Sequence, residues 1–156
     1  MPIDDARFRQ AMGHFASGVT VVTTQQDGEL YGMTVSSFAS LSLNPPLVLI
    51  CIDKSVPSHE AIRSAGHFVV NILEERQEHL SRRFATMLND KFKGVAWHSG
   101  QLGLPVLDST LAVIECRLHT TLAGGDHTIF VGEVVAAEIR EGAPLLYYRR
   151  GYHELK

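Results

Sequence analysis

The stretch Thr110–Glu138, TLAVIECRLHTTLAGGDHTIFVGEVVAAE, alternates with a period of two over its first half. Val113, Glu115, Arg117 and His119 fall on one side of an extended chain and Ile114, Cys116 and Leu118 on the other, as a β-strand requires. Ala123-Gly124-Gly125-Asp126 then turns the chain, and His127–Glu138 runs on as a second long strand. A long antiparallel hairpin is therefore expected here.

Upstream, Val19–Thr24 is rich in β-branched side chains, which crowd a helix and suit a pleated strand. Asp27-Gly28 is a hairpin turn signal between it and Tyr31–Leu43, a second strand or strand pair. Asn44-Pro45-Pro46 interrupts the chain before Leu47–Asp53, a continuous apolar strand. His67–Leu73 is another strand, and Pro144–Tyr148 closes the sheet. Helices are few. Asp4–Ala16 puts Phe8, Ala11, Met12 and Phe15 on one face, with Asp4 or Asp5 as cap and Gly18 as stop. Ser58 caps a short helix through Ser64, stopped by Gly66, and Glu74–Ala85 spaces Leu80 and Phe84 at i, i+4. Asn89–Pro105, with Gly94, Gly100 and Gly103, reads as a long, partly ordered loop. Strands joined by turns rather than helical crossovers predict a mainly β fold: an antiparallel β-barrel with a few flanking helices, one domain over 1–156.

Composition excludes several classes. Of 156 residues 45% are hydrophobic and 20% charged, with a net charge of -3, which fits a globular chain and not a nucleic-acid footprint. The pairs Arg82-Arg83 and Arg149-Arg150 are too short to reverse that reading. No run approaches the roughly 18 apolar residues of a membrane span, and Met1–Asp5 has no signal-peptide core, which points to the cytoplasm. Cys51 and Cys116 lie in apolar strands and read as buried small side chains, not a disulfide. The eight histidines are scattered without metal-ligand spacing, so no metal site is expected.

Three segments exceed what folding needs. Gly32–Ser40 crowds Thr34, Ser36, Ser37 and Ser40 onto both sides of a strand; hydroxyls suit a ligand ring's edges, or simply an exposed edge strand. Asp53-Lys54-Ser55-Val56-Pro57-Ser58-His59 joins a strand end to a helix start, either an anion site or a capped loop. Gly125-Asp126-His127 leads into a strand broken by Gly132, and a mid-strand glycine often marks a close approach. A solvated turn histidine is the plain alternative.

Taken in order, the chain resembles the short-chain flavin reductase family, the reductase components of two-component flavin-dependent monooxygenases. The likeness rests on Phe8–Ala11, Gly18–Thr23, Gly32–Ser42, Pro45–Val48, Phe68–Leu73, Gly103–Leu107, Gly125–Val134 and Pro144–Tyr148 with Tyr152. It implies a split β-barrel, a homodimer with flavin near the subunit interface, and a monooxygenase partner. The resemblance assigns flavin contacts to Met33, Thr34, Val35, Ser36, Ser37, Ala39 and Ser40. It assigns the ribityl and phosphate end to Asp53, Lys54, Ser55, Ser58 and His59, with Phe84, Ala85, Lys91 and Phe92 close by. Asp126 and His127 fall to the nicotinamide, closed over by a C-terminal stretch with Arg149 and Tyr152. Ser36 stands where many members carry asparagine; serine keeps one hydrogen bond without the amide's paired donor and acceptor.

The implied reaction passes a hydride from NADH, with NADPH as alternative, to FMN or FAD. It needs orientation and electrostatics more than side-chain acids or bases. His127, the one catalytic residue expected, would position the nicotinamide. Two alternatives stay open: a flavoprotein with tightly held FMN reducing ferric iron or a quinone, and a non-enzymatic flavin- or haem-binding split barrel.

Overall fold

The computed structural model describes residues 2–156. In chain order the elements are α1 (Asp5–Met12), β1 (Ser17–Gly18), β2 (Thr20–Gln26), β3 (Glu29–Val35), β4 (Phe38–Ser42), β5 (Leu47–Asp53) and α2 (Pro57–Ala65). There follow β6 (His67–Ile72), α3 (Glu78–Phe84), β7 (Trp97–Ser99), β8 (Pro105–Leu107), β9 (Ala112–Gly124), β10 (His127–Ile139), β11 (Leu146–Tyr148) and β12 (Gly151–His153). The expected 110–138 hairpin is β9 and β10, paired antiparallel across a turn at Gly125-Asp126. The Asp27-Gly28 turn has φ of 52° and 78°, the left-handed pair that a two-residue hairpin demands.

Seven strands make one antiparallel sheet in the order β3-β2-β6-β9-β10-β5-β4. Consecutive strands β3 and β4 thus lie at its two opposite ends. Only Ser36 and Ser37 join them, and three residue steps span at most about 11 Å. The ends of the sheet are therefore tethered together, and β3 touches β5 over the seam. The sheet must curl into a barrel, split where β3 and β4 meet without a ladder.

One apolar cluster fills the curl: Val22, Val35, Ile50, Ile52, Phe68, Val70, Cys116 and Phe130, with Ile62 reaching in from α2. β2 is buried on both faces, since Val21, with Val19 just before the strand, belongs to a second cluster with Leu73, Phe84, Leu107 and Leu145. Its threonines survive burial by donating to backbone carbonyls, Thr20 to Val35 at 2.6 Å and Thr23 to Pro105 at 2.6 Å. Asn71, also buried, donates to Val21 O and Thr23 Oγ1 and accepts from Leu107 N, which stitches β2, β6 and β8 together. Cys116 is fully buried, and burial pushes its thiol up to about 12, the inert small side chain expected.

Several expectations give way. The first helix ends at Met12 with Gly13 as its cap, and none of its residues is buried; Phe8, Ala11, Met12 and the following Phe15 are all exposed. Among the described residues nothing covers their apolar face. Ser58 does not cap α2: Val56 takes that place, Pro57 opens the helix, and Ser58 is buried inside its first turn. The loop expected over 89–105 contains β7, which pairs with β8. Pro144–Tyr148 does not close the main sheet. Its strand β11 sits in a separate three-stranded sheet between β1 and β12. Of these pairings only β1 with β11 joins residues far apart in sequence, Ser17 with Tyr147; β7–β8 and β11–β12 are local, but their strands of three residues are too short to show a period of two.

Candidate functional site

A cleft of about 460 Å³ opens between β3, the start of α2 and the segment after α3. Its lining includes Met33 and Thr34 from β3, Val56, Pro57 and Ser58 from the entry to α2, and Phe84, Ala85, Lys91 and Phe92. Seven of the expected flavin residues, Ser58 among them, therefore meet in one cavity, though they come from three separate stretches of chain. Gly32 makes the wall possible. A Cβ there would stand 2.7 Å from the Phe84 ring and 3.2 Å from that of Phe92, whose centroids lie 5.1 Å apart, edge to face. Gly32 opens the hydroxyl-rich segment and carries the same mid-strand signal as Gly132.

Polar groups converge on the apolar wall. Lys91 Nζ donates to Gly32 O at 3.0 Å and Phe84 O at 3.2 Å, and burial lowers its pKa from the ordinary lysine value. Thr34 donates its hydroxyl to Ser81 O at 2.6 Å. Tyr31, also in the lining, donates to Glu29 Oε2 at 3.0 Å, which raises its pKa and keeps the phenol protonated. Val56 and Pro57 come from the segment weighed as an anion site, whereas Tyr31 of β3 and the exposed residues Thr86–Asn89 are unexpected; nothing in a single sequence marks such loop residues as cavity walls.

The segment 53–58 bridges this cleft to the β9–β10 turn. At one end Asp53 pairs with His127 across the β5–β10 ladder, and Lys54 N donates to Asp126 O at 3.0 Å. At the other end Val56, Pro57 and Ser58 line the cleft. Asp53 Oδ1 accepts from both the N–H and the hydroxyl of Ser55 at 2.8 Å, and these two bonds hold its carboxyl below the usual range. The Ser55 proton is thus committed, which leaves the exposed Lys54 ammonium as the loop's outward cation. His127 Nδ1 lies 2.7 Å from Asp126 Oδ1. Because a carboxylate only accepts, Nδ1 carries the proton and Nε2 is left free. His59 is buried and is held by Thr128 Oγ1 at 2.8 Å and by the edge of Phe130, so it supports this turn from beneath.

The C-terminal strands dock beside the cleft floor. Tyr152 OH lies 2.7 Å from Ser81 Oγ, and the Arg82 guanidinium sits 4.9 Å over its ring. Arg149 occupies the β11–β12 turn with φ 49°, its side chain exposed. Other expected contacts fall elsewhere. Val35 belongs to the barrel core, 4% exposed, its carbonyl accepting from Thr20, and it does not line the cleft. Ser36, Ser37, Ala39 and Ser40 are exposed on the β3–β4 link and on edge strand β4, outside the cleft lining; Ser37 donates to Cys51 O. Gly132 faces the core and not a ligand: a Cβ there would meet Phe68 Cζ at 2.6 Å and Cys116 Cβ at 2.7 Å.

The family described as flavin reductase like domain matches residues 12–156. This chain belongs to the flavin reductase-like family. It is 51% identical over 148 residues, 95% of this chain and 80% of the relative, to the reductase component of a 4-nitrophenol 4-monooxygenase/4-nitrocatechol 2-monooxygenase from Rhodococcus opacus. A flavin reductase (NADH) of Kitasatospora aureofaciens is 43% identical over 155 residues, 96% of this chain and 81% of that protein. An NADH:FAD oxidoreductase of Streptomyces globisporus, solved with NAD and FAD fragments, superposes with a TM-score of 0.93 at 39% identity, over 98% of this chain and 93% of that one.

For a member of the flavin reductase-like family the cleft has a fitting size and lining. Its volume lies within the range of small-molecule sites, Met33, Val56 and Phe92 offer apolar surface for a flat ring system, and Thr34, Lys91 and Tyr31 offer polar groups around it. Among the described residues no group of three or more histidine, cysteine or acidic side chains is placed to hold a metal. If the 53–58 loop holds a flavin phosphate, its Lys54 ammonium must outweigh the Asp53 carboxylate beside it. Lys54→Ala is then expected to weaken FMN roughly threefold to tenfold while leaving riboflavin almost unchanged. Titration by flavin fluorescence checks this, and equal weakening of both ligands would reduce the loop to a structural role.

Proposed function

We infer that this chain is a flavin reductase, an oxidoreductase that takes reducing equivalents from NADH and delivers reduced flavin to a partner monooxygenase. The observation that carries this reading is the bridge made by residues 53–58, whose two ends touch the cleft and the Asp126–His127 turn in a chain of the flavin reductase-like family. Nicotinamide supplies a hydride and the flavin ring accepts it. The chain's own residues supply geometry. Phe84, Phe92 and Met33 exclude water from one face of the cleft, Lys91 and Thr34 fix its wall, and Lys54 offers a cation near the phosphate end. Asp126 fixes the His127 ring so that Nε2 faces outward as an acceptor for a carboxamide N–H. Ser81 holds Tyr152 of the C-terminal strands against α3. FMN and FAD both fit a cleft with an open mouth, and NADH is the expected donor. Residues 1–156 act as one domain in the cytoplasm; among the described residues no helix is long and apolar enough to cross a membrane.

NADH oxidation followed by absorbance, with FMN, FAD and riboflavin and with both nicotinamides, tests the reading. Flavin-dependent loss of the nicotinamide band is expected. No turnover with any flavin would overturn it, and a yellow cofactor retained through dilution would make flavin a resident group instead of a substrate.

The working unit is a homodimer. Phe8, Met12 and Phe15 are 54%, 55% and 76% exposed on or next to α1, an apolar strip that single soluble chains seldom leave to water. Ser36, Ser37, Ala39 and Ser40 lie on an open edge where a second subunit can complete the flavin's surroundings. Light scattering is expected to give twice the chain mass, and Phe8→Glu with Met12→Glu to shift it toward the monomer with weaker flavin binding. A monomeric parent that binds flavin tightly would sink the idea.

A further inference from the structure

We propose that Arg83 is a positioning residue for flavin binding, a clamp that holds residues 90–93 so that Lys91 and Phe92 form the far wall of the cleft. This rests on the reading of that cleft as the flavin site. Arg83 lies in the last turn of α3 and does not itself line the cavity. Its Nε donates to Lys91 O at 2.6 Å, and its Nη2 donates to Asp90 O at 3.0 Å and to Lys93 O at 2.9 Å. Three carbonyls from four consecutive residues thus converge on one guanidinium. The segment they belong to lies between α3 and β7 without a helix or strand of its own.

A second cation ties the same segment in the opposite direction. Lys91 Nζ reaches back to Gly32 O and Phe84 O. Between the two ties Phe92 is buried, its ring edge to face with Phe84 at 5.1 Å and with Trp97 at 6.1 Å. Arginine suits the task because its planar fork presents several donors in fixed directions. A lysine offers a point charge on a flexible stem. Without the clamp the chain would have to lose more freedom when flavin arrives, and ordering a wall at that moment weakens binding without touching the reacting atoms.

The test compares Arg83→Ala, Arg83→Lys and Phe92→Ala with the parent in NADH oxidation, and follows acrylamide quenching of Trp97, the single tryptophan. Arg83→Ala is expected to raise the flavin KM roughly tenfold, with kcat at saturating flavin and the KM for NADH within about twofold of the parent. Trp97 should become more quenchable, and saturating flavin should restore its protection. Arg83→Lys should fall between, and it carries the test if the alanine variant does not fold. A parent-like flavin KM in both Arg83 variants, with a raised one in Phe92→Ala, would overturn the clamp and leave the flavin site standing. So would a loss confined to kcat. A parent-like flavin KM in Phe92→Ala would instead remove the cleft as the flavin site, and the clamp's role with it.

Discussion

Alanine in place of His127 is expected to raise the KM for NADH about tenfold or more and to lower kcat/KM by at least as much, with flavin affinity within about twofold. The loss corresponds to one hydrogen bond formed with the bound nicotinamide, on the order of 1.5 kcal/mol. The structure makes this effect separable from folding. His127 is the first residue of β10, its side chain is 43% exposed, and among the described residues its only side-chain partner is the neighbouring Asp126. Removing it opens no cavity, so stability should change by less than about 0.5 kcal/mol. Asp126→Asn should give a smaller loss of the same kind, because an amide can donate to Nδ1 and favour the wrong tautomer. Steady-state kinetics at saturating flavin decide the matter. A kcat/KM for NADH within twofold of the parent would make His127 a solvated turn residue.

The largest expected effect on stability lies in the barrel. Phe68 is completely buried among Val22, Ile50, Cys116 and Phe130, and Phe68→Ala should cost about 3–5 kcal/mol through lost burial and the cavity left behind. Gly132 faces that ring, and Gly132→Ala should cost roughly 1–3 kcal/mol by overpacking, since its new methyl would meet Phe68 Cζ at 2.6 Å. Combining the two should cost less than their sum, as the methyl moves into space that the ring has vacated. Urea denaturation of the four species measures the coupling. Strict additivity would mean that Cys116 Cβ, 2.7 Å from the new methyl, and not Phe68 is what keeps Gly132 small.

The fate of the two mid-strand glycines shows where sequence reading stops. Gly32 and Gly132 carry the same local signal, a missing side chain in an extended run. One makes room for Phe84 and Phe92 at a cavity wall, the other for a core phenylalanine. Which ring lies opposite a glycine depends on strand order, and strand order is set by residues tens of positions away. The same limit explains Met33–Ser40. The crowded hydroxyls were legible, but only the seam between β3 and β4 divides them, sending Thr34 to the cleft and Ser36, Ser37 and Ser40 to an open edge.

By itself the sequence determined what neighbouring residues settle among themselves. The period of two in 110–122, the β-branched run of β2 and the left-handed turns at Asp27-Gly28 and Gly125 all follow from local sterics, so strands and hairpins were readable. That Phe84, Ala85, Lys91 and Phe92 would lie near Met33 and Thr34 came from the family resemblance and not from any local pattern. Only the tertiary structure decided that the sheet curls until β3 meets β4, that α1 leaves its apolar face bare, and that Arg83 reaches across to three carbonyls. Each of those depends on which distant surfaces can be buried together, a condition that applies to the whole chain at once and to no window of it.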